Sequence, residues 1–276
     1  MSRRRPAFPG ALLWFWLERI GLMWGLIGAF IFGFQFVIAG IVSDNENIKI
    51  FLQMIDILPP FIKAMLGGEM LMAGNITAIL LIGYQHPLIL ILYMIFAVGV
   101  PMSLLTGSVQ SGTMELILSR SVRKTHVYYC VAGMTILGMV GLTLAMFAGS
   151  AIAVNVIELP DPANLSALFK AAVNGGMLAG TVGAIALLAA ASLPKRGTAM
   201  TVTVIFLVLQ YFTVFIGEWW PRLDFLQPYS LFYYVKTGLI VFKNAWQVYD
   251  MCMLVGVLMI AVIAGGFIWQ RRDLRV

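Results

Sequence analysis

Charged side chains are absent from six long stretches of the chain: 21–42, 87–105, 127–154, 171–193, 197–216 and 251–269. Each is close to or above the roughly 20 apolar residues that a helix needs to cross a bilayer core. The third run is long enough to cross at a tilt. One region leaves the count open. Residues 71–105 carry no charge at all and exceed one straight span, so a hairpin of two short spans would give seven crossings.

Charge decides between six and seven. With six spans, one side collects Arg3, Arg4, Arg5, Arg19, Arg120, Arg123, Lys124, Lys195, Arg196, Arg271, Arg272 and Arg275. Lys49, Lys63, Lys170, Arg222, Lys236 and Lys243 fall on the other, mostly near acids. A seventh span would divide the larger set between the two faces. The positive-inside bias therefore favours six spans in the cytoplasmic (inner) membrane, with both termini cytoplasmic. The predicted fold class is an all-α integral membrane protein. It is a six-helix bundle with an N-terminal interfacial helix and a short cytoplasmic helix, in one domain over 1–276.

Composition agrees. Of 276 residues, 61% are hydrophobic and 11% charged, and mean hydropathy is +0.93. A water-soluble globule could not cover that much apolar surface. The net charge of +6 sits at the ends of apolar runs, which points to membrane orientation and not to nucleic acid. Cys130 and Cys252 lie inside apolar runs without C-x-x-C spacing and read as small hydrophobes. Met1–Arg5 has the basic start of a signal peptide, but the apolar run that follows is too long and lacks a cleavage pattern.

Between the first two runs, 43–86 reads as extracytoplasmic. Pro59-Pro60 breaks it, and 48–57 and 61–72 have the pattern of short interfacial helices. Residues 75–86 read as a partly re-entrant approach to the second span. Phe8–Arg19, with Trp14 and Trp16, suits an interfacial anchor on the inner face. Trp219, Trp220, Tyr229, Tyr233 and Tyr234 form an outer aromatic group, either a belt or a substrate-contacting gate.

The loop between the second and third spans carries the most distinctive pattern. Ser111-Gly112 suits a helix start, Glu115 falls in the first turn, and Arg120, Arg123 and Lys124 fall towards the far end. Those positions complement the helix dipole. Met114, Leu118 and Val122 share one face, and Glu115, Ser119 and Arg123 another. Periodicity alone allows a membrane-surface turn as readily as a docking helix.

The residues themselves say more. Gly112-Thr113-x-Glu115-Leu116-x-x-Ser119-Arg120-x-Val122-x-Lys124 resembles the cytoplasmic loop of ABC-2 type transporter permeases. Phe267–Leu274, running into R-R-D-L, resembles the end of that family's last span. Ser121 stands where the family commonly has proline. The resemblance implies a permease subunit that pairs with a second permease copy or a sister chain. It also implies cytoplasmic ATPase subunits that bind ATP and Mg, with no cofactor in this chain. It assigns contact with the ATPase to a coupling helix comprising Gly112, Thr113, Glu115, Leu116, Ser119, Arg120 and Arg123. This chain has no G-x-x-x-x-G-K-[ST] stretch, so it holds no Walker phosphate cradle.

Other constellations exclude more than they assign. His86 and His126 fall on opposite sides in the six-span layout and cannot share a metal. The notable polar residues at or near spans are Gln35, Asn155, Asn174, Thr181 and Gln210, and no acid–base pair lies near a span centre. That argues against a proton-coupled carrier and an intramembrane hydrolase. Gly138, Gly141 and Gly149 in the third span, and Gly175, Gly176, Gly180 and Gly183 in the fourth, mark close helix packing or a sliding surface. Pro101 is placed to kink the second span. Three functional expectations remain: a permease exporting a hydrophobic or amphipathic substrate, a membrane scaffold coupled to an ATPase, and a membrane enzyme.

Overall fold

A computed structural model describes residues 10–57, 75–119 and 122–273. Six of its helices are long and apolar enough to cross a membrane, matching the six expected runs. The long elements are α1 (Gly10–Val42), α4 (Pro87–Pro101), α7 (Lys124–Val156), α8 (Leu165–Ser192), α9 (Arg196–Trp219) and α11 (Val248–Arg271). All but α4 reach past their uncharged runs at one end or both, because a charged residue in the end turns of a spanning helix keeps its head at the interface while its backbone stays helical.

The shorter elements are α2 (Asn45–Ile57), α3 (Ile76–Gln85), α5 (Gly107–Gln110), α6 (Thr113–Leu118) and α10 (Thr237–Lys243). Two 3₁₀ segments, Pro221–Tyr229 and Leu231–Tyr234, precede α10. The expected helix at 48–57 is present within α2, with Ile50, Met54 and Ile57 exposed. The segment 61–72, Arg3–Arg5 and Arg120 lie outside the described residues.

One expectation is corrected at the N-terminus. Within the described residues, the interfacial segment is not a separate helix; from Gly10 it forms the first turns of α1. No proline interrupts 10–42, and Gly21 and Gly25 do not break the hydrogen-bonded ladder. The 33 residues of α1 extend about 50 Å at the α-helical rise. That exceeds a roughly 30 Å hydrocarbon core.

The approach to the second span is also resolved. Thr77 accepts a hydrogen bond from the backbone N–H of Asn164, beside the start of α8 (2.9 Å). Tyr84 donates to Ser150, deeper along α7 (2.8 Å). Beyond the break at His86, Phe96 lies against Gly138 of α7. The chain thus descends in one direction from α3 through α4, as a broken helix and not as a hairpin of two short spans. His86 caps α4 by accepting from the Leu88 N–H, and Pro87 occupies the first turn, where its missing N–H costs nothing. After Pro101 the helix widens into a π turn over Met102–Thr106 before α5. Proline cannot donate to the carbonyl four residues back, so the ladder re-forms with an extra residue.

The middle of the bundle is α8, which packs against α4, α7, α9 and α11. Its small side chains let neighbours approach. A Cβ at Gly176 or Gly183 would strike Thr143 or Thr135 of α7. The closest backbone approach lies elsewhere, where a Cβ at Gly149 of α7 would sit 2.5 Å from the Phe32 carbonyl oxygen of α1. Thr181 donates to the Leu254 carbonyl of α11 (3.1 Å). Close packing thus holds at Gly138, Gly141, Gly149, Gly176 and Gly183, whereas Gly175 has no neighbour within 4 Å of a Cβ position. Cys130 is half-buried, whereas Cys252 is exposed on the lateral face, not in the core.

Candidate functional site

The distinctive loop lies at the end of the bundle that carries both described chain ends, here the terminal end. Gly112 has φ 72°, a left-handed conformation that lets the chain turn sharply between α5 and α6. The Ser111 and Thr113 hydroxyls meet across this turn at 2.9 Å. Helix α6 then runs for six residues, starting where the sequence pattern placed it. Met114 is 2% exposed and packs inward, with Ile117 and Leu118 half-buried beside it. Glu115, Leu116 and Ser119 face outward, and Leu116 is 70% exposed. The two expected faces are therefore present over this short helix.

The helix ends sooner than expected. The Ser119 hydroxyl donates back to the Leu116 carbonyl (2.9 Å), competing with continuation of the backbone ladder. Arg123 consequently does not share a face with Glu115 and Ser119. It has extended geometry (φ −76°, ψ 143°) and forms the N-cap position of α7. Its guanidinium is exposed at the positive end of a helix dipole, the reverse of the favourable placement expected at a helix C-terminus.

Both ends of the loop are fastened to other spans. On the entry side, the Gln110 side-chain oxygen accepts from the backbone N–H of Arg196, the first residue of α9 (3.2 Å). On the exit side, the buried Trp269 indole donates to the Lys124 carbonyl (3.0 Å), and the Lys124 ammonium donates to the Arg272 carbonyl (3.2 Å). Arg272 in turn donates to the carbonyls of Ala190 and Ala191 in the last turn of α8, both at 3.1 Å. A cation there satisfies carbonyls that the helix leaves unpaired and complements its dipole. Burial pushes the Arg272 guanidinium below its ordinary range, yet it stays charged at neutral pH. The loop therefore joins α4 and α7, is tied to the ends of α9 and α11, and reaches α8 through Arg272.

Gln110, Trp269 and Arg272 were not assigned this role from sequence. Their chemistry was visible as a polar residue near a span end, an interfacial tryptophan and a basic tail. Their pairing over 80 or more residues was not.

At the opposite end, the aromatic group separates into two. Trp219, Trp220 and Tyr229 are exposed, as in a belt, whereas Tyr233 and Tyr234 pack edge to face. The 3₁₀ segments are held by Gln210, whose side-chain oxygen accepts from the Leu231 N–H (2.8 Å), and by Asn174, which donates to the Tyr234 carbonyl (3.2 Å). Lys236 pairs with the buried Asp250 at 3.2 Å. His86 and His126 sit at different ends, and no cluster of metal-ligating side chains occurs among the described residues.

A lateral groove of about 810 Å³ opens between α1, α4 and α9. Its walls are almost wholly apolar. Arg19 and Arg196 line its terminal end, and Tyr211 and Phe232 its other end. Comparison with protein-family models, curated proteins and solved structures finds no match.

Proposed function

We propose that this chain is the permease subunit of an ATP-driven, ABC-2-like transporter, exporting a hydrophobic or amphipathic substrate with energy from a separate ATPase. The observation that carries the reading is the mounting of α6. A short helix with an outward Glu115–Leu116–Ser119 face is suspended between α5 and α7. Its flanks are hydrogen-bonded to the ends of α9 and α11. A force applied to that face by a docked cytoplasmic partner would act on α4 and α7, which flank the loop, and on α9 and α11, which are hydrogen-bonded to its ends. The loop resemblance and the terminal basic side chains support a cytoplasmic placement of this end. The sparse intramembrane charge supports an amphipathic cargo over a small ion.

The test is co-purification from native membranes followed by ATP hydrolysis and vesicle transport measurements. A stoichiometric ATPase subunit is expected. Leu116→Ala and Glu115→Ala are expected to leave membrane insertion intact while weakening the ATPase association about tenfold, the scale of truncating one interface anchor. Wild-type ATP-driven transport in both variants would sink the docking role. Recovery of the chain without any ATPase would reopen the enzyme reading, and an ATPase complex that moves no cargo would favour the scaffold.

A further inference from the structure

The groove between α1, α4 and α9 has features that specify an occupant. Along α4 and into the π turn its lining runs from Pro87 to Ser103, about 24 Å at the helical rise. That is most of a roughly 30 Å hydrocarbon core. The lining over this length includes Met23, Met94 and Met200, flexible thioether chains that adapt to a disordered apolar ligand. Among the described residues, no carboxylate lines it. At the terminal end both charged lining residues are arginines, and neither Arg19 nor Arg196 pairs with an acid among the described residues. Arg196 also begins α9, whose first turn contains no acidic residue, so the positive end of that helix dipole adds to the same field.

From this arrangement we infer that the groove binds an anionic lipid. Its acyl chain lies along α4 and its phosphate headgroup is held by Arg19 and Arg196. A guanidinium fork matches phosphate oxygens in geometry and charge. A second protein helix would fill the apolar length but would leave two cations without a counter-charge. The inference deepens the permease reading by naming the substrate class that the groove admits, but the binding itself requires neither nucleotide nor ATPase.

The test uses the full chain reconstituted in phosphatidylcholine vesicles with a small fraction of spin-labelled phosphatidylglycerol or spin-labelled phosphatidylcholine. The motionally restricted signal is compared between the two labels. Phosphatidylglycerol is expected to be retained preferentially, by about fivefold for each arginine engaged, the scale of one basic side chain at an anionic surface. Arg19→Gln combined with Arg196→Gln should abolish the preference. Gly99→Leu should displace both labels, because Gly99 lines the groove and a Cβ there meets nothing within 4 Å. A thermal transition near wild type confirms that this variant folds; if it does not fold, the double arginine variant alone decides. Equal retention of both lipids by the wild type, or a preference that survives the arginine changes, overturns the proposal. So does efficient self-cross-linking of Met200→Cys, in a background without Cys130 and Cys252, because a second copy then fills the groove. Loss of lipid selectivity with an intact ATPase complex would count against this inference alone; selective binding without any ATPase would count against the permease reading alone.

Discussion

Helices α8 and α9 are joined by a short turn and have similar hydropathy, yet they live in different surroundings. In the most apolar part of α8, 61% of residues are buried inside the protein; for α9 the share is 17%. The difference lies in side-chain size. Where α8 packs, it offers Gly176, Gly180, Gly183 and a run of alanines, which let neighbouring backbones close in. By contrast, α9 presents Ile205, Leu209 and Phe212 outward, large side chains that suit lipid or another chain. In lipid there is little hydrophobic drive between helices, so close fit decides which helix becomes the centre. A hydropathy plot is blind to this distinction.

The sharpest way to break the comparison is to enlarge α8. Gly176→Leu drives a side chain into Thr143 and is expected to cost about 1–3 kcal/mol or more, the scale of an overpacked core. Thermal unfolding in detergent should show a clear downward shift, and an unchanged midpoint would show that α8 is not the packed centre. Arg272→Ala comes next. It removes two side-chain hydrogen bonds to the last turn of α8, while the Arg272 backbone carbonyl that accepts from Lys124 stays in place. An expected loss of about 1–3 kcal/mol follows from hydrogen bonds made by a charged group. Arg272→Lys should recover only part of it, because both bonds come from Nη1, one bond beyond the reach of a lysine ammonium. Hydrogen exchange at the α8 C-terminus would read this directly. The smallest effect belongs to α9, where Ile205→Ala should change the stability of the isolated chain by less than about 0.5 kcal/mol, as for exposed sites. A larger, concentration-dependent loss would mean that another copy covers that face.

These differences also mark how far the sequence could be read. The number of spans, their order and the start of α6 were all visible, because charge exclusion and the Ser-Gly turn are local signals. Places where a side chain competes with its own helix, or where distant segments meet, were not visible. The early end of α6 depends on Ser119 turning back on its own helix, and Arg123 belongs to the next span instead. The continuity of α1 through the expected interfacial segment reflects a ladder that nothing interrupts, although Trp14, Trp16 and Arg19 suggested an interfacial anchor. The groove and the clamp join residues far apart in the chain, and no periodicity encodes them.

The short helix α3 has a consequence for how the protein is made. Nine of its ten residues are buried, and its partners include α1, synthesised before it, and α8 and α10, synthesised long after. Thr77 waits for Asn164, and Gln85 for Thr237, its hydrogen-bond partner 152 positions later. Until the ribosome has delivered the second half of the chain, α3 has no complete socket, and its polar groups must stay near the membrane surface or find temporary partners. Docking of α3 is therefore a late event in biogenesis. A nascent chain halted before residue 164 carries α3 and the second span, but not the α8 and α10 walls that close around α3.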